Sequence, residues 1–121
     1  MTKAGWVRKI KAACTEAGTY RPFFDSVIDT LASILERRDE AEDLFKKTGG
    51  NVIVMHTNKS GAKNPEQNPV LRLVNDLNRD ALAYWRDLGL TPAGLKKLNA
   101  EVVKENNSGG NLEKLLSRLA E

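Results

Sequence analysis

Three marks carry the reading of this chain: Gly61-Ala62-Lys63-Asn64-Pro65, Asn68-Pro69-Val70-Leu71 and Leu88-Gly89-Leu90-Thr91-Pro92. Asn68-Pro69 starts a helix, because the Asn side chain satisfies a free amide of the first turn and Pro fits the first helical position. Gly89 supplies the left-handed residue that ends a helix. Thr91-Pro92 then repeats the starting chemistry. A helix from about Pro69 to Leu88 therefore turns a tight corner into another that runs from Pro92 to about Glu105. Leu71, Val74, Leu77, Asn78, Leu82 and Trp85 form the packing stripe of the first, with Ala81 and Leu88 alongside. Leu95, Leu98, Val102 and Val103 serve the second.

Upstream of these marks, Trp6, Val7, Ile10, Ala13, Cys14 and Ala17 recur at helical spacing over residues 3–17, and Gly18 is the stop signal. Pro22 opens a long helix that the pattern carries to about Lys47. Its apolar residues include Phe23, Phe24, Val27, Ile28, Leu31, Leu35, Leu44 and Phe45, interrupted by Glu36-Arg37-Arg38-Asp39-Glu40. Thr48-Gly49-Gly50 terminates it. Val52-Ile53-Val54-Met55 is the single strand-like run, and residues 56–68 read as a polar loop. A lone short strand needs a partner. The run either hairpins onto the loop, pairs between subunits, or is merely extended.

Downstream, Asn106-Asn107-Ser108-Gly109-Gly110 reads as a flexible break, followed by a short helix with Leu112, Leu115, Leu116 and Leu119 on one face. That stripe suits packing, within the chain or between subunits, or docking on a partner. The expected organisation is one helical domain over residues 1–105 and a linker with a short amphipathic helix over residues 106–121. The expected fold class is all-α, with a long central helix and a short β-like segment at about 52–68.

Of 121 residues, 40% are hydrophobic and only 6% aromatic, so the core is thin for a single domain. Apolar faces in such a helical chain are often completed by a second subunit. The stripe Phe23, Phe24, Val27, Ile28, Leu31, Leu35, Leu44 and Phe45 is the expected subunit contact. The formal net charge of +3 permits a nucleic-acid role without demanding one. Its distribution is more telling. Residues 1–21 carry Lys3, Arg8, Lys9, Lys11 and Arg21 against Glu16, whereas the following helix is rich in Asp and Glu. One cysteine, Cys14, excludes an intrachain disulfide. No leader-like segment and no apolar run of membrane-spanning length are visible.

The chain offers little for catalysis. His56 is the single histidine and has no ligand spacing to Cys14 or a carboxylate pair. Ser60 lacks the strand–turn–helix setting of a nucleophile elbow. No phosphate-binding glycine loop followed by Lys-Ser or Lys-Thr occurs, so neither a cofactor nor a metal is expected and the reading is not that of an enzyme. Lys3, Arg8, Lys9, Lys11 and Arg21 can neutralise phosphates, and Lys59 and Lys63 form a second cationic candidate beside Asn58, Ser60, Asn64 and Gln67. A helix-turn-helix would make the long acidic helix the reader, which its charge and length oppose.

Gly61, Asn68, Pro69, Leu88, Gly89, Leu90, Thr91, Pro92 and Leu98, in this order, resemble the small-subunit terminase family of tailed phages, with a weaker extension through Trp6 and residues 24–32. The resemblance implies a non-enzymatic component that assembles as a ring-like homo-oligomer in the host cytoplasm. It further implies that this component binds double-stranded viral DNA and regulates the large terminase subunit, which holds the ATPase and nuclease. A small helical adaptor that acts through protein contacts alone is the other reading the residues allow.

Overall fold

Trp6, Ile10 and Cys14 lie four residues apart, so a helix puts all three on one face. In a computed structural model, which describes residues 1–101, they are the buried face of α1 (Lys3–Ala17). Thr2 caps that helix by accepting from the Gly5 amide, and Gly18 ends it in the left-handed region. Pro22–Phe24 form one 3-10 turn, so the long helix begins later than the sequence suggests, as α2 (Asp25–Lys47). Then come β1 (Ile53–Thr57), β2 (Lys63–Gln67) and α3 (Pro69–Asp87). Residues 92–101 are helical and are called α4.

The core gathers Trp6, Ile10 and Cys14 of α1, Ile28, Leu31, Ala32 and Leu35 of α2, Ala81 of α3, and Leu88. α2 is central and packs against both α1 and α3. Complete burial of an Ile or Leu contributes roughly 1.5–3 kcal/mol, and Ile10, Ile28, Leu31, Leu35 and Leu88 are all fully enclosed. Three residues of the expected subunit-contact stripe, Ile28, Leu31 and Leu35, are fully buried within the chain itself, in the core that α2 shares with α1 and α3. Phe24 and Val27 pack against the same core and are half-buried. Phe45 is half-buried as well, whereas Phe23 and Leu44 remain 74% and 50% exposed. On α3 the expected Val74 and Ala81 do face inward, whereas two members of the expected stripe do not: Asn78 is exposed and Leu82 is 47% exposed.

An all-α description does not hold for residues 53–67. They form an antiparallel hairpin in the register Ile53 with Gln67 through Thr57 with Lys63, so the stretch read as loop contains the second strand. Lys63-Asn64-Pro65-Glu66-Gln67 has no apolar alternation to announce a strand; its pairing with β1 makes it one. Neither strand packs extensively on a helix, and apart from half-buried Val54 every strand residue is exposed. Asn68 anchors the base: its amide donates to the Val52 carbonyl at 2.8 Å and its side-chain nitrogen to the Asn51 carbonyl at 2.9 Å. The same side chain accepts from the Val70 amide at 3.0 Å, capping α3 as the sequence predicts.

The corner after α3 forms as predicted. Gly89 takes φ +73° and Thr91 Oγ1 accepts from the Gly94 amide at 3.1 Å. A side chain at Gly89 would meet Leu98 and Thr19, so the corner sits directly on the α1–α2 connector. The expected linker and last helix, with Leu112, Leu115, Leu116 and Leu119, lie outside the described residues.

Candidate nucleic-acid interface

The cations of α1 divide into two sets. Lys3 Nζ lies 3.1 Å from Asp29 Oδ2, and Lys11 Nζ lies 3.6 Å from Asp25 Oδ1. Lys11 also stands over the Tyr20 ring at 5.6 Å. These two lysines therefore face the acidic side of α2. The charge contrast between the N-terminal segment and the next helix is thus in part an internal match, through Lys3 and Lys11. Exposed pairs of this kind contribute about 0–1 kcal/mol each, so their main effect is to compensate charge. Arg8 and Lys9 lie on the outer face of α1 and make no ion pair among the described residues. Lys9 leans over Trp6 at 5.1 Å. This contact orients the stem and leaves the residue exposed to solvent. Arg21 is exposed and donates to its neighbour's carbonyl, Tyr20, at 2.8 Å.

Lys59 and Lys63 sit at the hairpin tip. Asn58 builds that tip: its Oδ1 accepts from the Ser60 amide at 3.0 Å, the Ser60 hydroxyl at 2.7 Å and the Ala62 amide at 2.9 Å. The Ser60 hydroxyl is thus committed to the turn instead of to a ligand. Residues 57–64 contain two lysines and no acidic residue. Glu66, further down, lies 4.0 Å from His56 Nδ1. The tip is therefore cationic, exposed, and carried away from the acidic helix.

Sequence reasoning missed a polar hub on the α1–α2 interface. Asp39 Oδ2 accepts from Trp6 Nε1 at 2.7 Å, and Asp39 Oδ1 accepts from Arg38 Nη2 at 3.0 Å. Arg38 also lies over Trp6 at 5.5 Å and donates to Asn78 of α3 at 3.3 Å, so one network touches three helices. Nearby, Glu36 caps α1 by accepting from the Lys3 amide at 2.6 Å. The Glu36–Glu40 stretch, which reads as an interruption, is thus the polar part of the interface, and Asp39 is engaged within the chain. Only the indole N–H of Trp6 hinted at this partner.

Partial burial pushes the Asp39 carboxyl up. The hydrogen bonds from Trp6 and Arg38 and the Arg38 charge outweigh it, so the net value falls below the ordinary one. A carboxylate with a depressed folded-state pKa stabilises the fold above its unfolded value of about 3.9, and this contribution is lost as pH falls through the folded value. Asp39→Asn should therefore lower stability at pH 7 by about 1 kcal/mol. The gap from the parent should narrow as pH falls through the lowered folded-state value, as read by thermal melts from neutral into acid pH.

Cys14 is enclosed, and burial raises its thiol pKa despite a hydrogen bond with Thr19, so it is a core residue. His56 stands exposed on the hairpin. Among the described residues no three His, Cys, Asp or Glu side chains gather as a metal site, and no helix is long and apolar enough to cross a membrane.

In class, then, this is a small, mostly helical domain that carries an outer cationic helix face and a projecting hairpin. Residues 2–105 match the family described as phage terminase, small subunit, and the chain belongs to that family. Membership implies a role in packaging viral DNA, with DNA and the large terminase as partners. Comparison with curated proteins and with solved structures returned no match.

Proposed function

We propose that this chain is the non-catalytic DNA-recognition subunit of a viral packaging machine, acting in the host cytoplasm as a ring-like homo-oligomer that regulates the large terminase subunit. Family membership over residues 2–105 is the observation that carries the reading. Arg8 and Lys9 on α1 and Lys59 and Lys63 on the hairpin tip are the principal phosphate contacts, with Arg21 nearby. Lys3 and Lys11, compensated by Asp29 and Asp25, contribute less. One subunit binds DNA weakly; repetition around an assembly raises avidity by roughly 10²–10⁴.

Subunits meet through the apolar residues left open, Phe23 at one end of α2 and Leu44 at the other. Leu44 lines a groove with Ala41, Leu73 and Leu77, rimmed by Arg37 and Glu40. Leu112, Leu115, Leu116 and Leu119 supply the contact with the large subunit. A gel-shift series over about 50–200 mM salt, run beside native mass measurement, tests the reading. The expected result is a discrete homo-oligomer whose DNA affinity falls steeply with salt. A monomer that leaves DNA unshifted at the lowest salt would overturn it in favour of an adaptor.

A further inference from the structure

An antiparallel pair alternates residues that exchange hydrogen bonds across the ladder with residues whose N–H and C=O point away from it. Two contacts set the phase of this hairpin. The Asn68 amide donates to the Val52 carbonyl at one end, and the Asn58 amide donates to the Ala62 carbonyl at the other. With the observed register, Val54 and His56 bond inward, while Ile53, Met55 and Thr57 turn their backbone groups outward. On β2 the outward residues are Lys63, Pro65 and Gln67. Pro65 has no N–H, so that edge lacks its central donor. The β1 edge keeps all three, and among the described residues no other element bonds to them.

The β1 edge is also apolar and uncharged. Ile53 and Met55 are 57% and 59% exposed, and the strand reads Ile-Val-Met-His-Thr. An isolated two-stranded hairpin is marginal in water, and a further strand with an apolar face, or packing against a helix, is needed for stability; this hairpin packs little on any described helix. A row of free backbone groups with such side chains is a template for another strand, which proteins otherwise block with Lys or Pro. Here Pro65 blocks one edge, and the other carries neither Lys nor Pro and is uncovered among the described residues.

We propose that β1 pairs antiparallel with β1 of a second copy about a two-fold axis at Met55, giving a four-stranded sheet ordered β2-β1-β1-β2. Self-complementarity selects the occupant. Met55 stands opposite Met55, Ile53 opposite Thr57, and no like charges meet. Lys59 falls beyond the paired stretch and Lys63 stands at the end of each outer strand, opposite Thr57, so the lysines of the two copies lie at opposite ends of the sheet. Growth stops there, because both outer edges carry Pro65. A two-fold contact cannot close a ring by itself, so it joins two rings or pairs of subunits and makes the subunit number even.

Met55→Cys tests this directly. Facing residues in a hydrogen-bonded pair lie about 5.5 Å apart between Cα atoms, within disulfide reach. Mild oxidation of M55C should give a covalent dimer, whereas Gln67→Cys, on the blocked edge, should give little. Met55→Lys keeps the hairpin's own ladder and puts like charges opposite each other; native mass should drop to smaller species. Equal cross-linking of both cysteine variants, an unchanged mass for M55K, or an odd subunit number in the parent would each overturn the contact. A parent assembly that binds DNA while M55C fails to cross-link would remove this contact alone and leave the proposed function standing.

Discussion

Replacing Gly94 by Ala should be the most damaging small substitution in the described chain, with a loss on the order of 3 kcal/mol and a Tm drop of ~10 °C or more. A Cβ at Gly94 would land on the Arg86 carbonyl oxygen, 2.9 Å from its carbon and 3.0 Å from the Arg86 Cα. Backbone cannot rotate aside as a flexible side chain can. That carbonyl is also held in place by the Gly89 amide, which donates to it at 2.9 Å. The only relief is to lift α4 off the end of α3. This would separate Leu98 from Gly89 and Thr19 and uncover the neighbouring core at Leu88. Gly50→Ala is the control. Its φ of +66° costs conformational energy, but nothing lies within 4 Å of the added methyl, so the loss should be about 1–2 kcal/mol. Thermal and urea melts of both variants decide the matter. Equal losses would mean that the close approach of the corner is not what holds α4.

Neutralising Arg8 and Lys9 together should weaken DNA binding by about 100-fold or more near physiological salt. It should also reduce the magnitude of the log–log salt slope by about two for each subunit that touches DNA. The reason is positional: these two cations have no carboxylate partner among the described residues, and each can release a counterion from the duplex. Lys3→Gln with Lys11→Gln removes the same formal charge but should behave differently. Those lysines already face Asp29 and Asp25, so DNA gains less from them, and their loss falls on the α1–α2 interface instead. A salt-series binding assay on both double variants, with folding checked by circular dichroism, separates the two cases. Equal losses would show that intrachain pairing does not shield Lys3 and Lys11.

The punctuation of the chain was legible because capping and stopping a helix are local acts. Asn68 needs only the next two residues to cap α3, and Gly18 and Gly89 need only their own backbone. Trp6, Ile10 and Cys14 were legible because a four-residue spacing picks out one helical face. β2 was legible only as one of three alternatives, a hairpin of the strand-like run onto the loop, since Lys63-Asn64-Pro65-Glu66-Gln67 has neither alternation nor strand propensity and is held by its neighbour. Gly94 was equally silent. A glycine in the first turn of a helix carries no signal until another helix is seen to approach it.

The division runs through α2. Its amphipathic pattern could establish that it has an apolar side, but not whether Ile28, Leu31 and Leu35 meet this chain or another. Tertiary packing gave them to α1 and α3 and left Phe23 and Leu44 outside. Charge followed the same rule. Composition located the cations, whereas the fold decided which were compensated, because the pairing of Lys3 with Asp29 joins residues 26 apart that meet only once α1 lies on α2. Sequence alone determined the start and stop of α1, the cap of α3, the corner at Gly89 and which family the chain resembles, since those depend on short-range chemistry. Which apolar groups stay exposed and which cations stay uncompensated among the described residues depends on long-range packing, and the tertiary structure alone decided it.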